Sequence, residues 1–193
     1  LEPYAHGEEF SQDLDIIAAS LTANHGAALI RKRLHALQRA VQIFGFHLAT
    51  LDMRQSSDVH EQVLSELFKA ANVEKDYASL SEEEKIPLLL SQLQQPRLLY
   101  SPYTEYSDLT QSELTILQMA RSIRKQFGSR AIRNYIISHT ESVSDLLEVF
   151  LLQKETGLFC TDVQSGKQEA ELMVIPLFET IPDLRVASDI MDG

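Results

Sequence analysis

Apolar residues recur at helical spacing over the first part of the chain. Phe10, Leu14, Ile17 and Leu21 fall on one face of a helix over Glu9 to Leu21, which Asn24-His25-Gly26 closes. A second stripe, Ile30, Leu34, Leu37, Val41 and Phe44, predicts a helix from Ala27 to Phe44 stopped by Gly45. The period then changes. Phe46 to Gln55 is dense in apolar residues with charge only near its end, which predicts a buried strand leading into a loop. Ser57 and Asp58 are placed to cap a helix over Val59 to Ala71, with Val63, Leu64, Leu67 and Phe68 inward.

Ser81 and Glu84 have the spacing of a capping box, and Pro87 predicts a kink or a late start near Ile86. Gln95 to Ser107, with its prolines and tyrosines, reads as a loop. Thr110 with Glu113 reads as a further capping box, ahead of a stripe at Leu114, Leu117, Ala120, Ile123 and Phe127 that Gly128 ends. A second strand is expected over Ile132 to Ser138. Ser144 and Asp145 then begin a helix through Glu155 that stops at Gly157. Residues 158–170 read as a polar, mobile loop. A third strand spans Leu172 to Phe178, and a helix runs on from Ile181 to Met191.

This order predicts an α/β fold, predominantly α-helical, with three strands each followed by a helix and lying parallel. Three strands cannot close a barrel, which needs about eight. The 193 residues suit a single domain over 1–193.

Composition narrows the function. Net charge is −11, which disfavours phosphate backbones and hence nucleic acid. Cations gather at Arg31, Lys32, Arg33 and Arg39, and again at Arg121, Arg124, Lys125, Arg130 and Arg133. Both groups read as solvated helix faces and ends. No apolar run reaches the length of a membrane span, and no basic-then-apolar leader opens the chain. The lone cysteine, Cys160, has no catalytic motif around it; it reads as a small hydrophobe in a reducing, cytoplasmic setting.

Sheets of this kind carry their chemistry at the C-terminal ends of strands. Three spots qualify: Asp52-Met53-Arg54-Gln55, Ser138-His139 and Phe178-Glu179-Thr180. Alternation puts Asp52 and Arg54 on one side of their strand. Arg54 can then be half of a structural ion pair, or an arginine presented to phosphate or carboxylate, which its planar fork suits. Glu179 can be a metal ligand or acid/base group, or a first-turn acid complementing the next helix dipole. Other motifs fail. His60-Glu61 opens an HExxH pattern, but Leu64 stands where the second histidine belongs. Ser122 and Lys125 match S-x-x-K by letters alone, inside a long helix. No Gly-rich phosphate loop is present, and the histidines show no ligand spacing.

Three segments at these strand ends resemble one family. FGFHLATLDMRQSSDVHE (Phe44 to Glu61), RNYIISHTESVSDLLEVFLLQKETG (Arg133 to Gly157) and VIPLFETIPDL (Val174 to Leu184) are similar, in that order, to stretches of the phosphoenolpyruvate carboxylases. Asp52, Arg54, Gln55 and His60 match the first motif, and Ser138 and Asp145 the second. The motif matches of Asp52, Gln55, His60, Ser138 and Asp145 fix no role for those residues. The resemblance implies a partial (β/α)8 barrel and membership of a cytoplasmic, homotetrameric carbon–carbon lyase. Such an enzyme forms oxaloacetate and phosphate from phosphoenolpyruvate and bicarbonate with Mg2+ or Mn2+. It implies a phosphate-binding, catalytic role for Arg54 and a metal-ligand role for Glu179. It also implies an internal piece of a much longer enzyme, because the family's T-A-H-P-T and G-Y-S-D-S motifs are absent. Such a piece is expected to be inactive alone, to bind magnesium weakly and to self-associate through exposed edges and apolar faces. Two rival readings stand beside it: a non-catalytic helical interaction module on the same scaffold, and a different barrel enzyme acting on phosphoenolpyruvate.

Overall fold

The computed structural model describes residues 2–161 and 168–192, with the side chains of residues 160, 161 and 168 left out. The reading of the Cys160 thiol, and the central part of the expected mobile loop, lie outside those residues. The chain gathers into two compact units, one of residues 1–51 and 122–132, the other of residues 52–121 and 133–193.

In the first unit, helix α1 (Gly7–Ala23) packs against the helical segment next to it in the chain. That segment is not the continuous helix the stripe predicts. It runs as α2 (Ala27–Leu29), a π-helical turn (Ile30–Leu34) and α3 (His35–Phe44). The predicted stripe holds only in part: Ile30 and Leu34 are half-buried. Val41 is buried while Leu37 is 42% exposed, as Ile17 is 49% on α1. Gln38 Nε2 donates to Asp15 Oδ1 at 2.7 Å across the pair. Gly45, at φ +51°, ends α3 as expected.

The second unit opens with β1 (Leu51–Ser56), whose first residue belongs to the other unit. The buried strand expected over Phe46 to Gln55 is corrected twice. Residues 46–49 are turn and bend, and β1 is largely exposed because it is an edge strand of a sheet ordered β1-β2-β5. Helix α4 (Ser57–Ala70) comes next; its N-cap position is Ser56 rather than Ser57, with no side-chain cap bond, and Asp58 lies in its first turn. Val63, Leu64, Leu67 and Phe68 are fully buried, as their spacing predicts. After a single 3-10 turn (Tyr77–Ser79) comes α5 (Glu82–Gln94). Its capping box of Ser81 and Glu84 forms, but the helix starts at Glu82 and carries Pro87 inside. The cap and the packing of α5 on α7 outweigh the one backbone donor that Pro87 lacks.

Helix α6 (Asp108–Phe127) begins before the expected Thr110 cap. Ser107 takes that place: its hydroxyl accepts from the Thr110 N–H at 3.3 Å and donates to Glu66 at 2.6 Å. Thr110 is instead buried in the first turn. Strand β2 (Ile132–Ser138) has the predicted bounds. Helix α7 (Val143–Thr156) is capped by Ser142 rather than Ser144, with Asp145 closing the box. Ser144 is occupied elsewhere, giving both its N–H and its hydroxyl to Glu82 at 2.7 Å. Two short strands not foreseen, β3 (Phe159–Thr161) and β4 (Gln168–Ala170), pair antiparallel where a polar loop was expected. Strand β5 (Met173–Pro176), shorter than predicted, pairs parallel with β2, and α8 (Ile181–Asp192) ends the described chain. The fold is α/β and mostly helical. Among the described residues no helix is long and apolar enough to cross a membrane.

Candidate active site

Strand β2 is the centre of the sheet, and its two faces differ. Tyr135 and Ile137 point into the core, where they are 2% and 0% exposed. Asn134 and Ser138 alternate onto the other face. On β1, Asp52 and Arg54 likewise share one face, and their side chains reach Asn134 and Ser138. Asn134 Nδ2 donates to Asp52 Oδ1 at 2.8 Å, and Arg54 Nε donates to Ser138 Oγ at 2.6 Å. Asp52 and Arg54, candidates for an ion pair with each other, are thus each paired with a different β2 side chain.

The rest of the Arg54 guanidinium reaches past the end of β5. Its Nη2 donates to Glu179 Oε1 at 2.8 Å, an ion pair joining residues 125 positions apart. The other Glu179 oxygen lies 3.5 Å from His139 Nε2. The ends of three strands therefore converge on one cluster of Arg54, Ser138, His139 and Glu179. It remains open to solvent: the side chains of Arg54 and Glu179 are 58% and 29% exposed.

Backbone geometry fixes the cluster. His139 sits at φ +54°, a left-handed conformation that turns the chain out of β2. Ser57 Oγ donates to the His139 carbonyl at 2.7 Å, and the Thr140 N–H donates to Leu177 O at 3.1 Å. These bonds tie the end of β2 to the start of α4 and to the segment after β5. Behind Glu179, the Thr180 N–H donates to Asp183 Oδ2 at 2.9 Å. Hydrogen bonds from Thr180 hold the Asp183 carboxyl below its ordinary range.

The other motif residues serve the frame. His60 is buried, 2.9 Å from the Tyr135 hydroxyl, and burial lowers its pKa to about 4, so it is a neutral ring in the core. Gln55 Nε2 donates to Glu113 at 2.9 Å. Asp145 accepts the N–H groups of Glu141 and Ser142, and burial is the main cause of its raised pKa. The strand-end rule marks the position of His139, but nothing in the spacing ties it to Glu179.

Among the described residues no three His, Cys, Asp or Glu side chains gather as a metal cage. Glu179 offers one carboxylate. That fits a hard divalent cation which takes one or two carboxylates and completes its shell with water and substrate phosphate.

The fold and the cluster define an α/β protein with a charged cluster at the ends of its strands. The whole chain, residues 1–193, matches the family model of the phosphoenolpyruvate carboxylases. It is 58% identical over 192 residues to a phosphoenolpyruvate carboxylase of Paraburkholderia xenovorans (strain LB400), covering 98% of this chain and 19% of that protein. The like-named protein of Burkholderia vietnamiensis (strain G4 / LMG 22486) is 59% identical over 191 residues, again covering 98% of this chain and 19% of the relative. The chain belongs to the phosphoenolpyruvate carboxylase family, and it spans about a fifth of the length of these relatives.

Proposed function

We propose that this chain is the part of a phosphoenolpyruvate carboxylase that holds the substrate phosphate and one metal-ligating carboxylate. The whole enzyme forms oxaloacetate and phosphate from phosphoenolpyruvate and bicarbonate. The observation that carries the reading is the Arg54–Glu179 contact at 2.8 Å across the ends of β1 and β5, in a chain of this family. The three strands would form part of a (β/α)8 barrel, with the Asn134 and Ser138 face of β2 turned inward. The remaining ligands and catalytic groups would come from portions of the longer family chain, assembled as a cytoplasmic homotetramer.

Arg54 would bind the phosphoryl oxygens with its planar fork, trading its bond to Glu179 for the substrate anion. Ser138 accepts from Nε and would keep the guanidinium aimed during that exchange. Glu179, so released, would be one ligand of a Mg2+ or Mn2+ ion. That ion supplies positive charge where the enolate develops. Bicarbonate would attack phosphorus, breaking the P–O bond to the enolate and giving carboxyphosphate; carboxyphosphate would split into phosphate and carbon dioxide, and that carbon dioxide would add to the enolate carbon. Alone, the chain presents one carboxylate and should bind magnesium weakly and catalyse nothing.

Arg54→Ala in a full-length carboxylase carrying this segment should lower kcat/KM by about a hundredfold or more, the scale of removing one donor aimed at developing charge. Steady-state kinetics within a few-fold of the parent would refute the phosphate role.

A further inference from the structure

Apart from the strand-end site, the first unit contains a cavity of about 530 Å³, within the size range of small-molecule pockets. Arg124, Lys125 and Arg130 line it together with the imidazoles of His6 and His47; Glu8 is the carboxylate among its lining residues. These cations belong to the second basic group of the sequence, which pattern alone reads as helix-end charge.

We infer that this cavity binds a compact dianion, such as a phosphate group or a small dicarboxylate. The floor is built for close approach. A Cβ on Gly7 would meet Gly45 Cα at 3.2 Å, so α1 begins almost against the backbone that ends α3. That brings the start of a 17-residue helix to the cavity wall. Its first-turn N–H groups have no acceptor inside the helix, and its dipole favours negative charge there. The N-cap residue, His6, makes no side-chain cap and lines the cavity instead. Both guanidiniums are held by backbone carbonyls. Arg124 donates to Ser129 O at 2.6 Å and also to Ile132 O, and Arg130 donates to Gln42 O at 3.3 Å. Carbonyls orient a guanidinium without cancelling its formal charge. In a chain of net charge −11, a walled pocket with three cations and one carboxylate is a local reversal of sign that attracts anions.

The test tracks the His6 and His47 ring resonances by NMR while the 193-residue chain is titrated with inorganic phosphate and, separately, with succinate. Saturable shifts are expected with at least one probe. Phosphate alone would mark a phosphate ligand, succinate alone a dicarboxylate, and both a general dianion site. Lys125→Glu with Arg130→Glu should weaken binding at least tenfold. The milder Lys125→Gln with Arg130→Gln, checked for unchanged circular dichroism, should weaken it in the same direction. Arg54→Ala should leave the shifts intact, which separates this pocket from the strand-end site. Shifts that fail to saturate with either probe, survive the double substitutions or vanish with Arg54→Ala would overturn the assignment.

Discussion

The two units of this chain bury apolar surface very differently. In the second, Val63, Leu64, Leu67, Phe68, Leu89, Val149 and Leu151 are all at 0% exposure, and α5 and α7 pack along their lengths. In the first, Leu14 and Val41 are the buried apolar residues of α1 and α3, while Ile16, Ile17, Leu37, Ile43 and Phe44 stay exposed. Both units carry amphipathic helices, so helical periodicity alone does not say which apolar face finds a partner. The second unit completes a core from its own elements. The first presents helix faces that its own residues do not cover.

Removing core volume tests that contrast most severely. Leu64→Ala should cost about 2–5 kcal/mol, because a fully buried leucine loses its transfer energy and leaves a cavity. Ile17→Ala, at an exposed site, should change stability by about 0.5 kcal/mol or less. Urea midpoints at unchanged slope would measure both. Native-state hydrogen exchange should show α4 and α7 losing their protection in the first variant only. Comparable losses from the two substitutions would erase the distinction between the units.

A smaller effect comes from the polar side of the second unit's core. Glu148 is buried beside Tyr77, whose hydroxyl donates to it at 2.8 Å, with Lys85, Glu61 and Asp145 nearby. Burial pushes the Glu148 carboxyl up to about 8. Burial likewise lowers His60 to about 4. The signs oppose. Between its unfolded value of 4.5 and about 8, Glu148 holds a proton in the folded state that the unfolded chain has released, so its effect is to lower stability as pH rises. His60, protonated when unfolded and neutral when folded between about 4 and 6.5, makes stability rise with pH over that window. The two slopes cancel in their overlap. Above pH 6.5 His60 no longer offsets Glu148, whose slope is about 1.4 kcal/mol per pH unit. Stability should therefore fall by about 2 kcal/mol from pH 6.5 to 8. Glu148→Gln, which keeps an acceptor for Tyr77, should flatten that limb. A limb just as steep in the variant would place its origin elsewhere.

The same contrast governs how much of the fold was legible in the sequence. The second unit's strand β2 has the predicted bounds, its inward quartet on α4 is buried, and its Ser81–Glu84 box forms. There the local pattern and the packing agree. The misses come from partners that pattern cannot see. Ser107 and Ser142 cap helices where Thr110 and Ser144 are expected to, Ser56 holds the α4 N-cap position without a side-chain cap bond, and Ser57 and Ser144 are drawn off by His139 and Glu82. A π turn at Ile30–Leu34 interrupts a helix that reads as continuous, and an edge position exposes a strand that reads as buried. At the site, the strand-end rule picked out Arg54 and Glu179 separately. That they pair, with Asp52 diverted to Asn134, depends on register between strands distant in sequence.

The smallest stability change should come from the face the first unit leaves open. Leu29 is 70% exposed beside the π turn, and Ile16 and Leu48 are 65% and 75% exposed. Replacing Leu29 with Ser removes little that folding buries, so the unfolding midpoint should move by about 0.5 kcal/mol or less. Association responds to a different quantity, the apolar surface that two copies can hide from each other. Light scattering at high concentration should therefore show self-association of the parent chain, reduced by Leu29→Ser and reduced further by adding Ile17→Ser. If the parent stays monomeric throughout, exposed side chains on α1 and α2 are scattered rather than contiguous, and the first unit is self-contained despite its thin core. If association persists undiminished in the double variant, the contact lies elsewhere, with the open edge of β1 as the next surface to block.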